Sequence, residues 1–284
     1  MNKFLLVLML TLSANSYAVT FTAIPCNTSN GLITNVGPHP DDNSLCDFQA
    51  AEVKLKVYSI ALCTQAPIFS DSSSPDLSSC SFVYNNDSYN EISLSSSSGF
   101  NLTDLSRPAN GTYPYFLIVM SNTLKVKATA HFNSSRTSQN GGSGEFCWTD
   151  GSSITPVSPL SANGILNSGN GMSCGSALGG NYDFNEIIWQ GPWVTWQGTS
   201  EVVPGGINTD YFLNSSLVGV TSLAQTSKWA SVHQPTSPVI VDQTTTALRM
   251  SINLSSGASL KFDTGILKWI EDAPFGYLVS TVSQ

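Results

Sequence analysis

Charge is what this chain has least of: Asp, Glu, Lys and Arg together make up 11% of it, against roughly 25% in ordinary soluble domains. Lys and Arg nowhere cluster along the sequence, and the net charge is −8. Both features argue against a nucleic-acid or anionic-membrane partner, which is held by clustered basic groups. Histidine occurs only as His39, His131 and His233, too few and too scattered for an obvious metal centre. No cysteine pair has the C-x-x-C spacing of a zinc site. Beyond the N-terminal stretch no apolar run approaches the length of a membrane-spanning helix, and the longest, residues 115–120, has the length of a strand.

Ser, Thr, Asn and Gly fill the gap and account for well over a third of the residues. Such side chains are poor in helix interiors and acceptable on strands and in turns. The composition therefore predicts an all-β fold. The first eighteen residues read as a secretory signal peptide: Lys3, an apolar stretch over residues 4–12, then polar residues with Ser16 and Ala18 at the cleavage spacing. The expected mature protein begins at Val19, and the absence of a cysteine there argues against a lipid anchor. The expected location is the periplasm, the cell surface or the exterior.

All six cysteines lie in the expected mature part, as three sequence-local pairs: Cys26 with Cys46, Cys63 with Cys80, and Cys147 with Cys174. An even number in an exported chain reads as disulfides, and proximity favours this pairing among the fifteen connectivities possible. Seven Asn-x-Ser/Thr triplets, at Asn27, Asn86, Asn101, Asn110, Asn133, Asn214 and Asn253, are glycan acceptors only in a host that glycosylates.

Period-two alternation is the dominant pattern. Leu124, Val126, Ala128, Ala130 and Phe132 alternate with Lys125, Lys127, Thr129 and His131, which reads as a half-buried strand. Residues 113–120 are apolar on both faces, as expected inside a sandwich, and Ser121-Asn122-Thr123 is expected to turn the two into a hairpin. Val53, Leu55 and Val57 alternate and then shift phase to Ile60 and Leu62, which predicts a β-bulge near Tyr58 and Ser59. A second hairpin is expected from residues 248–254 and 260–262 around Ser255-Ser256-Gly257-Ala258, and a short helical turn at residues 50–53 or 266–271. The expected architecture is a β-sandwich, jelly-roll or immunoglobulin-like, with room for two packed sandwich domains. Its units would be residues 19–150, a Gly/Ser/Asn-rich connection over 151–181, and a β-rich C-terminal unit over 182–284.

The run Val57-Tyr58-Ser59-Ile60-Ala61-Leu62-Cys63, then Cys80, Gly111-Thr112-Tyr113-Pro114-Tyr115, and Cys147 with Thr149-Asp150-Gly151 resembles a group of exported β-rich proteins of marine bacteria that has no settled function. The resemblance implies export and a β-rich surface module. It carries no catalytic residue to this chain.

Three constellations invite chemistry. Trp189, Trp193 and Trp196 surround Gln190-Gly191-Pro192, and flat aromatic faces beside amides stack and hydrogen-bond sugar rings. In this reading Trp193 presents an exposed face while Trp189 and Trp196 pack inside; the plainer alternative is that all three are core. Asp183, Asn185 and Glu186, and separately Asp41, Asp42 and Asn43, offer hard oxygen ligands of the kind that suit calcium, although neither group has a recognised loop spacing. Gly171-Met172-Ser173-Cys174-Gly175 matches G-x-S-x-G, with Asp183, Asp210 and His233 downstream. The flanking segments lack the strand and helix of a nucleophile elbow, so a serine hydrolase on Ser173 ranks as a remote alternative. Val19, Phe21 and Ala23 alternate with threonines, as an edge strand of the same chain or one donated to a neighbouring copy.

The expectation is a non-catalytic exported structural or adhesive protein, a surface, matrix or filament subunit, with self-association or other surface proteins as partners. A carbohydrate-binding module or periplasmic ligand binder is the alternative. No transmembrane segment is expected in the mature chain, and no cofactor apart from the calcium candidate.

Overall fold

The computed structural model describes residues 20–22, 25–35, 45–95, 106–155, 171–190, 199–203, 205–220, 222, 225–263, 266–273 and 276–283. The described residues form β1 (Thr20–Thr22), β2 (Asn27–Ser29), β3 (Leu32–Asn35), β4 (Leu45–Phe48), β5 (Glu52–Cys63), β6 (Cys80–Ser95) and β7 (Gly111–Tyr113). There follow β8 (Tyr115–Lys127), β9 (Thr129–Thr137), β10 (Ser143–Trp148), β11 (Ser153–Ile154), β12 (Ser173–Gly175), β13 (Asn185–Ile188) and β14 (Thr199–Val203). The last seven are β15 (Gly206–Leu213), β16 (Lys228–Pro235), β17 (Val239–Val241), β18 (Thr245–Asn253), β19 (Ala258–Asp263), β20 (Ile266–Asp272) and β21 (Gly276–Ser283). The all-β expectation holds. The two short helical turns do not form, because residues 52–63 and 266–272 are strands with partners on neighbouring chain segments.

The main sheet has nine strands, with β8 at its centre. One edge of β8 pairs with β5, which in turn pairs with β6. The other edge pairs with β16 over Phe116 to Ser121 and with β13 over Thr123 to Val126. Beyond β16 lie β15, β14 and, in parallel, β1. Smaller sheets (β12-β10-β9-β3-β2, β18-β21, β20-β19-β4 and β17-β7) supply the opposing layer. The largest core cluster joins Leu55, Ile60, Phe116, Ile118, Leu124 and Val126 of the main sheet to Phe132, Met250, Leu260, Ile270 and Tyr277 of the smaller ones. Strands from 19–150 and from 182–284 are thus immediate neighbours: β8 beside β16 and β13, β4 beside β19, β7 beside β17. The Gly/Ser/Asn-rich stretch over 151–181 contains β11 and β12.

The bulge expected at Tyr58 and Ser59 is present, with the register of β5 shifting there against both β6 and β8. Val53, Leu55 and Val57 precede it on the core face, and the one-residue insertion moves Ile60 and Leu62 onto that same face. The expected hairpin at Ser121-Asn122-Thr123 does not form, and β8 runs straight through. Its neighbour changes from β16 to β13 at that point, and Asn122 fills the gap: its buried amide donates to Trp189 O at 2.9 Å and Thr226 O at 3.3 Å. Pairing on both edges overrides three residues that favour turns. The chain leaves the sheet at Ala128 instead, where Thr149 Oγ1 accepts from the Ala128 N–H at 3.2 Å, and β9 enters the other layer.

The turn expected at Ser255 to Ala258 forms, but its two strands diverge. β18 pairs with β21, and β19 pairs with β20 and β4, so the second expected hairpin is replaced by a crossing between sheets. All three disulfides join as expected: Cys26–Cys46, Cys63–Cys80 and Cys147–Cys174. Cys63 with Cys80 and Cys147 with Cys174 face each other directly in register across β5–β6 and β10–β12. Closing loops of 17, 20 and 27 residues contributes about 3 kcal/mol each in the chain-entropy model.

Candidate functional site

Side chains of β8 that do not face the core point to an outer face of the main sheet, and this face has two halves. Around Leu117 and Val119 it is covered: Ala61, Cys63, Ala230, Val232 and Leu213 form a second apolar cluster with Phe69 from the 64–79 loop. From Ser121 to Lys127 it is wet, and alternate residues are only half buried. Lys54 and Lys56 of β5, Lys125 and Lys127 of β8 and Lys228 of β16 all project there, five of the chain's eight lysines.

Aromatic rings lie among these ammonium groups. Phe184 sits 4.3 Å from Lys54 Nζ and 5.4 Å from Lys127 Nζ, and Tyr182 lies 4.5 Å from Lys127 Nζ. Lys56 Nζ lies 5.3 Å from the Tyr89 ring and Lys228 Nζ 4.6 Å from the Tyr58 ring, and the two tyrosines meet edge to face at 5.8 Å. Such contacts hold a cation above a ring at modest energy without neutralising it. Lys125 pairs with Glu91 at 3.6 Å. Glu52, which accepts a hydrogen bond from Ser93 Oγ and stands opposite Lys127, and Glu186, opposite Lys125, lie on the same face. Burial, with the Glu52 charge added, raises the Tyr182 pKa.

The opposite face of β15 and β16 carries a buried polar row. Asn208, Asp210 and Phe212 stand across from His233, Ser231 and Trp229. His233 Nδ1 meets Asn208 Oδ1 at 2.6 Å, its ring contacts Tyr277 edge to face, and burial lowers its pKa to about 4. Asp210 is buried, which raises its pKa to about 6. Ser231 and Trp229 face its carboxyl and oppose that rise, although neither completes a hydrogen bond of ordinary geometry. Gly206 permits the close approach here, because a Cβ on it would lie 2.2 Å from Gln234 O and 2.7 Å from His233 Cε1.

The residues singled out in the sequence are dispersed. Trp189 is half buried and packs on Phe212 and Trp229, each at 6.4 Å between ring centres, so it belongs to an apolar cluster. Gln190 is half buried beside it. Trp193, Trp196, His39, Asp41, Asp42 and Asn43 lie outside the described residues, as does the N-terminal segment 1–18. Asn185 is fully buried on β13, where its amide donates to Gly171 O at 2.6 Å and Ile270 O at 3.0 Å and accepts from the Asp150 N–H at 3.1 Å. Asp183 accepts from the Phe184 N–H, and Glu186 points to the outer face near Ser153. The three calcium candidates therefore do not converge.

Ser173 on β12 donates to Asp150 Oδ2 at 2.9 Å and accepts from Asn181 Nδ2 at 3.2 Å. Asp150 also accepts from Ser152 and Asn140, and Trp148 donates to Asn181. This polar knot braces the Cys147–Cys174 end, while His233 and Asp210 lie in the main sheet and His131 stacks on Phe146 at 4.0 Å. Among the described residues, the Ser, Asp, His set of the remote hydrolase alternative is not assembled around Ser173.

Sequence reading missed the lysine face, because β5 and β8 are distant in the chain and only their pairing brings the cations together. The available signal was Lys-x-Lys at period two, at Lys54/Lys56 and again at Lys125/Lys127. Comparison with protein-family models, curated proteins and solved structures finds no match.

Proposed function

We propose that this chain is an exported, non-catalytic structural or adhesive protein, a surface, matrix or filament subunit that associates through its sheet edges. The observation that carries the reading is β6. It is sixteen residues long and, among the described residues, pairs with β5 alone. Between Asn85 and Asn90 it bulges out of register with β5 and is largely exposed. Among the described residues, the backbone bond its outer side receives comes from Ser106 at Val83. The regular stretch beyond the bulge, residues 90–95, is an edge of the kind that templates another strand unless it is blocked. The N-terminal signal pattern and the three disulfides, which form in oxidising compartments, support export. At the opposite edge β1 is bound to β14 within the same chain by three residues in parallel. That favours the intramolecular edge strand over a donated one.

Light-scattering mass of the oxidised chain from Val19 onward is the test. Dimers or higher assemblies that Phe82→Lys together with Tyr89→Lys disperses are expected, because an edge charge opposes pairing. A monomer at every accessible concentration would remove the edge-pairing reading.

A second reading, glycan binding, draws on the outer face of the main sheet, where half-buried rings, ammonium groups and the hydroxyls of Ser93, Thr123 and Ser153 share one surface. It moves the glycan site away from the Trp189 cluster, whose described members pack on one another.

A further inference from the structure

We infer that the wet half of the main sheet's outer face binds an anionic polysaccharide, one bearing carboxylate or sulfate groups, laid along the direction of β5 and β8. The inference rests on the glycan-binding reading and adds the charge class of the ligand. Lys54 and Lys125 are direct cross-strand partners, and like charges directly opposed across a sheet destabilise it; Lys127 stands opposite Glu52, Lys56 opposite Glu91, and Lys125 on its other side opposite Glu186. Lys127 and Lys56 extend the line to either side of this pair, and Lys228, opposite Ser121, continues it. With the rise of a strand this track is roughly 20 Å long.

Only Lys125 has a carboxylate within salt-bridge distance among the described residues, and rings hold the other four ammonium groups in place. The fold therefore holds five ammonium groups among three carboxylates on this face, an excess of positive charge on a chain whose net charge is −8. An anionic polymer on this face relieves the Lys54–Lys125 repulsion, and ring-held ammonium groups lose less freedom on binding than free ones.

The face suits a sugar polymer better than a nucleic acid. Phe184, Tyr182, Tyr89 and Tyr58 already carry ammonium groups, whereas single strands are gripped by stacking bases on free aromatic faces. Glu52, Glu91 and Glu186 lie among the lysines and accept hydrogen bonds from sugar hydroxyls.

The test is titration of the oxidised chain from Val19 onward with dextran sulfate, polygalacturonate, neutral dextran and oligo-dT, at low and raised salt. Binding to dextran sulfate or polygalacturonate is expected, falling with salt, and whichever binds tighter identifies the anionic group. Lys54→Ser with Lys127→Ser should weaken it at least about tenfold without lowering the unfolding temperature. Lys54→Arg with Lys127→Arg should retain it, and Lys268→Ser on β20 should leave it unchanged. Equal affinity for neutral dextran would overturn the charge class and leave the glycan reading standing. Absence of binding to all three glycans would overturn both. Tighter binding to oligo-dT would assign the face to nucleic acid, and salt-reversible self-association lost in the double Ser variant would assign it to a second copy; either overturns the inference.

Discussion

Residues 116–120 of β8 are apolar on both faces, whereas residues 121–127 of the same strand alternate Asn, Leu and Val with Ser, Thr and Lys. The first half lies beneath the smaller sheets on one side and the 64–79 loop on the other. Among the described residues, the second half has only the first of these covers. The comparison extends to charge. Beside the covered half, Asp210 and His233 are buried on the core face with their pKa values moved toward the neutral forms; on the wet half of the outer face, five lysines project from the sheet. One sheet thus hides Asp210 and His233 on its core face and displays lysines on the uncovered half of its outer face.

Removing a covered side chain should have the largest effect. Leu117→Ala, on the covered outer face, is expected to cost about 2–5 kcal/mol in urea unfolding, as for other buried large-to-small changes, and Lys125→Ala no more than about 1 kcal/mol. Similar losses in the two variants would erase the distinction between the halves.

The second contrast is in pH. Asp210 holds a proton in the fold up to about pH 6, while the unfolded chain releases it near 3.8. Its contribution is therefore most favourable below 3.8 and is lost as pH rises through about 6. His233 behaves oppositely: unfolded it takes a proton near 6.5, folded only near 4, so its contribution is present above 6.5 and is lost as pH falls through about 4. The two slopes oppose each other between pH 4 and 6, and the whole protein should show a shallow dependence there. Asp210→Asn should stabilise the fold at pH 8 by about 2–3 kcal/mol and leave a stability that declines steadily on acidification from 6.5 to 4. Thermal unfolding against pH reads both effects, and a variant with unchanged slope would show that Asp210 is ionised in the fold.

At the junction of the halves, Asn122→Ala leaves the carbonyls of Trp189 and Thr226 without their side-chain donor. A loss of about 2 kcal/mol is expected, together with faster amide exchange in β13 and the end of β16. The smallest effect belongs to Lys54→Ser, which relieves the opposition to Lys125 and should change stability by less than about 1 kcal/mol in the favourable direction at low salt.

What the sequence disclosed follows the reach of each interaction. The phase shift between Val57 and Ile60 marked the bulge, because alternation is local, and the three cysteine pairs lie within 27 residues of each other. The two-faced apolar run over 115–120 disclosed a strand inside a sandwich, but not that it continues through Ser121-Asn122-Thr123, since partners far along the chain hold that segment straight. Asn30-Gly31 was a local signal left unread: both take positive φ, 51° and 78°, and join β2 to β3 in a two-residue hairpin. The lysine track and the burial of Asp210 were illegible, because each depends on which strands become neighbours.

Association through the open edge of β6 is tested most directly by amide hydrogen exchange across that strand at increasing protein concentration. Protection that rises with concentration over residues 90–95, while β8 and β16 stay unchanged, is the predicted result. Exchange in β6 that is fast and independent of concentration would contradict it.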